Sequence, residues 1–97
     1  MNYRIELAPP AKAEIRGLPG NLRSQALKLI AALAEEARPP RARELRGKPN
    51  IYRIWLAGRW RIVYEIDEEN RRLLVLRVQS KDQIDYKSLT SSAKKGG

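Results

Sequence analysis

The chain has 97 residues, with 20 Lys and Arg against 11 Asp and Glu for a formal charge of +9, and it contains neither His nor Cys. That length allows one domain, near the lower limit for burying its own core. The missing residue types exclude disulfides, thiolate chemistry and Ser-His-Asp or Cys-His catalysis, and they leave a zinc site nothing but carboxylates, so no metal or cofactor is expected.

Charges at Arg4 and Glu6 interrupt the N-terminus before a signal-peptide apolar region can form. The longest strongly apolar run, residues 29–34, is far short of the ~20 residues of a membrane span. A cytoplasmic protein with no membrane association is the expectation.

Tyr3, Ile5 and Leu7 alternate with Asn2, Arg4 and Glu6, the period of a half-buried strand. Pro9-Pro10 ends it and opens a helix in which Ala11, Ile15 and Leu18 share a face. Leu18-Pro19-Gly20 breaks that helix, Asn21 is the predicted N-cap of the next, and Leu22, Ala26, Leu29, Ile30 and Leu33 form its apolar stripe. Pro39-Pro40 is the predicted stop. Residues 43–45 read as a short extended piece before the Gly47-Lys48-Pro49-Asn50 turn. Strands follow over residues 51–56, 59–66 and 72–79, joined by turns that imply antiparallel neighbours. Residues 81–89 are predicted as a short helix. Residues 1–89 read as one domain and 90–97 as a flexible polar tail. The fold class is α+β: an N-terminal strand and a two-helix hairpin packed on one face of a mainly antiparallel, twisted sheet of four to five strands, with a short C-terminal helix.

The charge is local. Residues 38–61 hold eight basic groups, seven of them Arg, and only Glu44 against them, a net +7. Guanidinium forks fit phosphate oxygens in pairs, so an Arg-rich block is the footprint of a nucleic-acid binder; a solvated face or an acidic protein partner is the alternative.

Period-two alternation sorts the strands. Tyr52, Ile54 and Leu56 oppose Arg53 and Trp55. Trp60, Ile62, Tyr64 and Ile66 oppose Arg59, Arg61, Val63 and Glu65. Leu74, Leu76 and Val78 oppose Leu73, Val75, Arg77 and Gln79. One face is apolar and belongs under the helices. The other is predicted to bring Arg53, Arg61 and Arg77 about one strand spacing apart, with Trp55 among them as a surface for base stacking or for packing against the tail. An ordinary wet sheet face, with Glu65 against Arg61, is the plain alternative.

Residues 45–54, LRGKPNIYRI, followed by residues 59–66, RWRIVYEI, resemble the "L-x-G … Y-R-I … Y-R-I-V-Y" core of RelE/ParE-superfamily toxins. The Tyr3 strand, the break at Leu18-Pro19, the long second helix and Tyr86 also match, so the resemblance spans residues 2–89. The Leu45-Arg46-Gly47 turn with Pro49 is more similar to the RelE branch.

The resemblance implies a toxin of a type II toxin–antitoxin system: a ribosome-dependent, metal-independent endoribonuclease, or mRNA interferase. In its reaction a ribose 2′-OH attacks the adjacent phosphate. Its implied partners are the ribosome and mRNA, a cognate antitoxin, and operator DNA reached through that antitoxin. By position, Arg61 would stabilise transition-state charge, Arg53 would contact phosphate, Lys81 would be the general acid, and Tyr86 would stack on or orient the nucleotide. Arg46, Lys48, Trp55, Arg59 and Arg77 complete the expected RNA-binding set. Two departures stand out. Trp55 occupies the position of a proposed general-base lysine, and Lys81 replaces the usual Arg. Arg77 and Glu65 are the replacements weighed for the base. The same fold also serves ParE-like inhibition of DNA gyrase, and a catalytically weak toxin acting through antitoxin binding is a third reading.

Overall fold

A computed structural model describes residues 2–84. The elements run β1 (Arg4–Leu7), α1 (Pro9–Arg16), α2 (Gly20–Leu33), β2 (Arg43–Glu44), β3 (Ile51–Leu56), β4 (Trp60–Asp67) and β5 (Arg72–Ser80). The five strands form one sheet in the order β1-β5-β4-β3-β2. β1 pairs with β5 in parallel and every other pairing is antiparallel. The predicted α+β architecture is therefore present, with a parallel strand added at one edge. Of the predicted C-terminal helix, residues 81–83 form a turn, and residues 85–89 lie outside the described residues.

Both helices cover one sheet face. Ala11 and Ile15 of α1, Leu18 in the break, and Ala26, Ile30 and Leu33 of α2 pack with Ile54, Leu56, Ile62, Tyr64, Ile66, Leu73, Val75 and Val78. Tyr52, Trp60, Leu22 and Leu29 line the margin of this core, as the alternation and helical spacing require. Pro19 ends the first helix by lacking an N–H and disfavouring helical backbone before it.

Two helix boundaries differ from the sequence reading. α2 begins at Gly20 with Pro19 as its N-cap, two residues ahead of the predicted cap at Asn21. It ends at Leu33, well before Pro39-Pro40, because tertiary partners take the next carbonyls. Tyr3 N–H donates to Ala34 O at 2.8 Å, and the Tyr64 hydroxyl donates to Ala37 O at 2.7 Å. Burial pushes the Tyr64 phenol well above its usual range and keeps it the neutral donor this bond needs.

A surface cluster ties the chain between α2 and β2 to both ends of the sheet. Glu68, in the β4–β5 turn, accepts from Arg38 Nη1 at 2.7 Å, from the Tyr3 hydroxyl at 2.9 Å and from Arg71 Nη1 at 2.9 Å. Arg38 Nε also donates to the Tyr52 hydroxyl at 2.9 Å, and Arg71 stacks over the Tyr3 ring. Hydrogen bonds from Arg38 and Tyr3 hold the Glu68 carboxyl below its usual range.

The apolar strand face gives the first expectation: Ile62→Ala lowers unfolding free energy by about 2–5 kcal/mol, as read by urea denaturation. Glu68 gives the second. Its folded-state pKa lies below its unfolded one, so its contribution is present above its ordinary value of 4.5 and fades as pH falls below it. The urea midpoints of wild type and Glu68→Gln therefore differ near neutral pH and converge in acid.

Candidate functional site

The β3–β4 hairpin closes through residues 57–59, which pairs Leu56 with Trp60, Trp55 with Arg61, Ile54 with Ile62 and Arg53 with Val63. On the far side of β4, Arg61 lies opposite Gln79 and Val63 opposite Arg77. On the far side of β3, Arg53 lies opposite Arg43 of β2. The face away from the helices thus carries two adjacent rows, Trp55–Arg61–Gln79 and Arg43–Arg53–Val63–Arg77. Arg53 and Arg61 are diagonal neighbours, roughly 7–8 Å apart at the backbone. The expected line of three adjacent arginines is corrected by this register: Val63 separates Arg53 from Arg77.

A β-bulge corrects the face assignment of β5. Val63 pairs with Arg77 while Tyr64 pairs with Val75, so Leu76 is an extra residue. Before the bulge, Leu73 and Val75 lie in the helix-side core, and after it Val78 does. Leu74 and Leu76 lie on the opposite face with Ile51, Val63, Leu45 and Ile84. Strict alternation had exchanged these two pairs. An inserted residue reverses the parity of everything beyond it, which is why Val78 and Gln79 still fall where alternation put them. The face is therefore divided: an apolar cluster at the Ile51 end, and a cationic end at Trp55 and Arg61.

The guanidinium of Arg61 sits over the Trp55 ring, Cζ to centroid 4.2 Å. Both residues are half-buried, and such a contact is worth about 0.5–2 kcal/mol depending on desolvation. Arg59 and Lys81 join this end: Lys81 N–H donates to Arg59 O at 3.0 Å, and both residues are exposed. Arg46 and Lys48 stand on the turn before β3, where Gly47 takes a φ of +75° that side chains disfavour. That turn leads into Ile51, four residues from Trp55, or roughly 13 Å along the strand. The structure thus brings Arg53, Trp55, Arg59, Arg61 and Lys81 together, and places Arg46 and Lys48 apart from them. Tyr86 lies outside the described residues.

Arg77 is engaged elsewhere. β1 covers β5 only over residues 72–75, and Glu14 of α1 takes the edge beyond. Its carboxylate accepts the Val78 N–H at 2.7 Å and Arg77 Nε at 3.1 Å, with Arg77 Nη2 as a third donor. The hydrogen bonds to Glu14 raise the Arg77 pKa. Sequence reasoning missed Glu14; 63 residues separate it from Arg77, and nothing local marks it. Glu65, weighed as a base, is 2% exposed. It is flanked by Ile51 and Leu74 and lies roughly 13 Å along β4 from Arg61.

A family model described as the ParE toxin of the type II toxin–antitoxin system, parDE, matches residues 5–85. The chain belongs to the RelE/ParE toxin family. Solved structures agree on the fold of this toxin. A double arginine mutant of the E. coli toxin RelE in the free state is 30% identical with a TM-score of 0.73, covering 82% of this chain and 84% of that one. The isolated E. coli RelE toxin is 28% identical with a TM-score of 0.74, covering 89% and 92%. The toxin in the intact E. coli RelBE toxin–antitoxin complex is 29% identical with a TM-score of 0.73, covering 80% and 95%. No curated protein matches the chain.

The Glu14 clamp yields a stability expectation. Glu14→Ala strips the buried edge N–H and the Arg77 guanidinium of their acceptor and costs about 1–3 kcal/mol in urea denaturation. Glu14→Gln, which keeps a carbonyl oxygen for Val78 N–H, costs less.

Proposed function

We propose that this toxin is a RelE-like endoribonuclease that cleaves mRNA in the ribosome and so halts translation in the cytoplasm. The observation that supports this best is the grouping of Arg53, Arg61, Arg59 and Lys81 around Trp55 at one end of the open sheet face. Cations held on a rigid sheet suit a reaction whose transition state gathers negative charge on phosphate oxygens.

In this reading the ribose 2′-oxygen attacks the adjacent phosphorus and loses its proton, while the bond to the 5′-oxygen breaks and that oxygen gains one. Arg61 faces the developing phosphorane charge, Arg53 holds the neighbouring phosphate, and Lys81 supplies the leaving-group proton. Tyr86 keeps the nucleotide-orienting role that the resemblance implies. Arg77, its donors on Glu14 and its pKa raised, does not suit proton abstraction, and neither does buried Glu65 at its distance from Arg61. The base is therefore assigned to neither. Because the similar E. coli RelE is found in a RelBE toxin–antitoxin complex, a cognate antitoxin is the proposed partner of this toxin, and the antitoxin would carry it to operator DNA.

Mapping mRNA ends in a translating extract tests the reading. The wild-type chain produces new 5′ ends within codons, and Arg61→Ala lowers the cleavage rate on the order of 10²-fold or more. Intact message with the wild-type chain refutes it. A second reading, inhibition of DNA gyrase, is favoured by the ParE family match together with Trp55 at the lysine position. Loss of supercoiling activity on adding the chain to gyrase, without RNA cleavage, selects that reading.

A further inference from the structure

Trp55 inherits no role from the lysine whose place it takes, but the register assigns it one. It lies directly opposite Arg61 in the β3–β4 ladder, and the Arg61 guanidinium covers one face of its ring at 4.2 Å. We propose that Trp55 is a positioning residue that holds the Arg61 guanidinium in one orientation for a phosphate of bound RNA, rather than the platform on which a base stacks. The chemical consequence rests on the nuclease reading; the orientation itself does not.

A guanidinium has two kinds of surface. Its faces are weakly hydrated and stack on aromatic rings, whereas its N–H donors radiate in the plane and match the oxygens of a phosphate. Stacking on Trp55 restrains the long Arg61 side chain through a face, and the contact itself consumes none of the in-plane donors. A contact with an acid works differently, as at Arg77, where Glu14 takes Nε and Nη2 together and cancels their charge. A lysine at position 55 would set a second cation against Arg61. Tryptophan offers the largest negative π-face available for the purpose. Position 55 also follows from the hairpin, since the three-residue loop 57–59 fixes which side chain faces Arg61. With Arg61 over the ring, that ring face is occupied and a nucleobase would have to displace the cation to stack there.

Two measurements on the full chain test this. The first is the NMR signal of the Arg61 Nε–H, assigned by its loss in Arg61→Lys. Ring-current shielding places it upfield of exposed arginines. Trp55→Leu returns it to their position, and Trp55→Phe retains part of the shift. A signal that Trp55→Leu does not move overturns the proposal, whatever the chain does to RNA.

The second is a double-mutant cycle on single-turnover mRNA cleavage. Trp55→Leu lowers the rate on the order of 10-fold, with half-saturation changed by less than about threefold. Trp55→Phe recovers most of the rate. In an Arg61→Ala background Trp55→Leu costs nothing more, because the group it positions is gone. An undiminished loss in that background marks Trp55 as a base-stacking platform and overturns the positioning role. A wild-type chain that cleaves no message refutes the nuclease reading instead, and the NMR signal then decides the role of Trp55 alone.

Discussion

β4 is hydrogen-bonded on both sides, to β3 and to β5, and its alternation between faces is the constraint to which the rest of the molecule is fitted. Ile62, Tyr64 and Ile66 point into the helices and are almost wholly buried. Arg61, Val63 and Glu65 point the other way. A one-residue slip of either neighbour would bring charge under α1 and α2 and expose the apolar row, so burial of one face enforces the register of the other. The site therefore draws its geometry from the core: Arg61 meets Trp55 because Ile62 and Ile54 pair beneath the helices.

The arginines of this basic chain divide between two kinds of work. Arg38, Arg72 and Arg77 have carboxylate partners that join distant segments, and Arg71 pairs with Glu68 within the β4–β5 turn. The exposed pairs among them contribute little singly, but Glu68 gathers Arg38, Arg71 and Tyr3 at one point and closes the chain between α2 and β2 against the sheet. Arg61 has an aromatic ring against its face. Net charge measures neither role, since the same residue type braces separate segments at one place and stacks on an aromatic ring at another.

Much of the fold was legible because it follows from periodicity. The helix stripes at Ala11, Ile15 and Leu18 and at Ala26, Ile30 and Leu33, and the alternation in residues 51–56 and 60–66, each record a single buried face. The errors came where a local rule met a distant partner. α2 stops early because Tyr3 and Tyr64 take the carbonyls of Ala34 and Ala37. The faces of Leu73 to Leu76 were exchanged because all of those residues are apolar, so hydropathy carried no mark of the bulge. The pairing of Trp55 with Arg61 was within reach, by counting outward from the loop at Ala57-Gly58-Arg59, whereas Glu14 on Arg77 was not.

By itself the sequence determined the elements, the two-faced strands, the residue types available for chemistry and, through the run from Leu45 to Ile66, the family resemblance. Each of these depends on neighbours within a few residues, and local sterics and burial write them into the order of the chain. Tertiary structure alone decided that β1 lies parallel beside β5, that Arg77 is held by Glu14, and that the open face has an apolar end and a cationic end. Those outcomes depend on strand order and on one inserted residue, which are settled only when segments more than 60 residues apart compete for the same hydrogen bonds and the same buried surface.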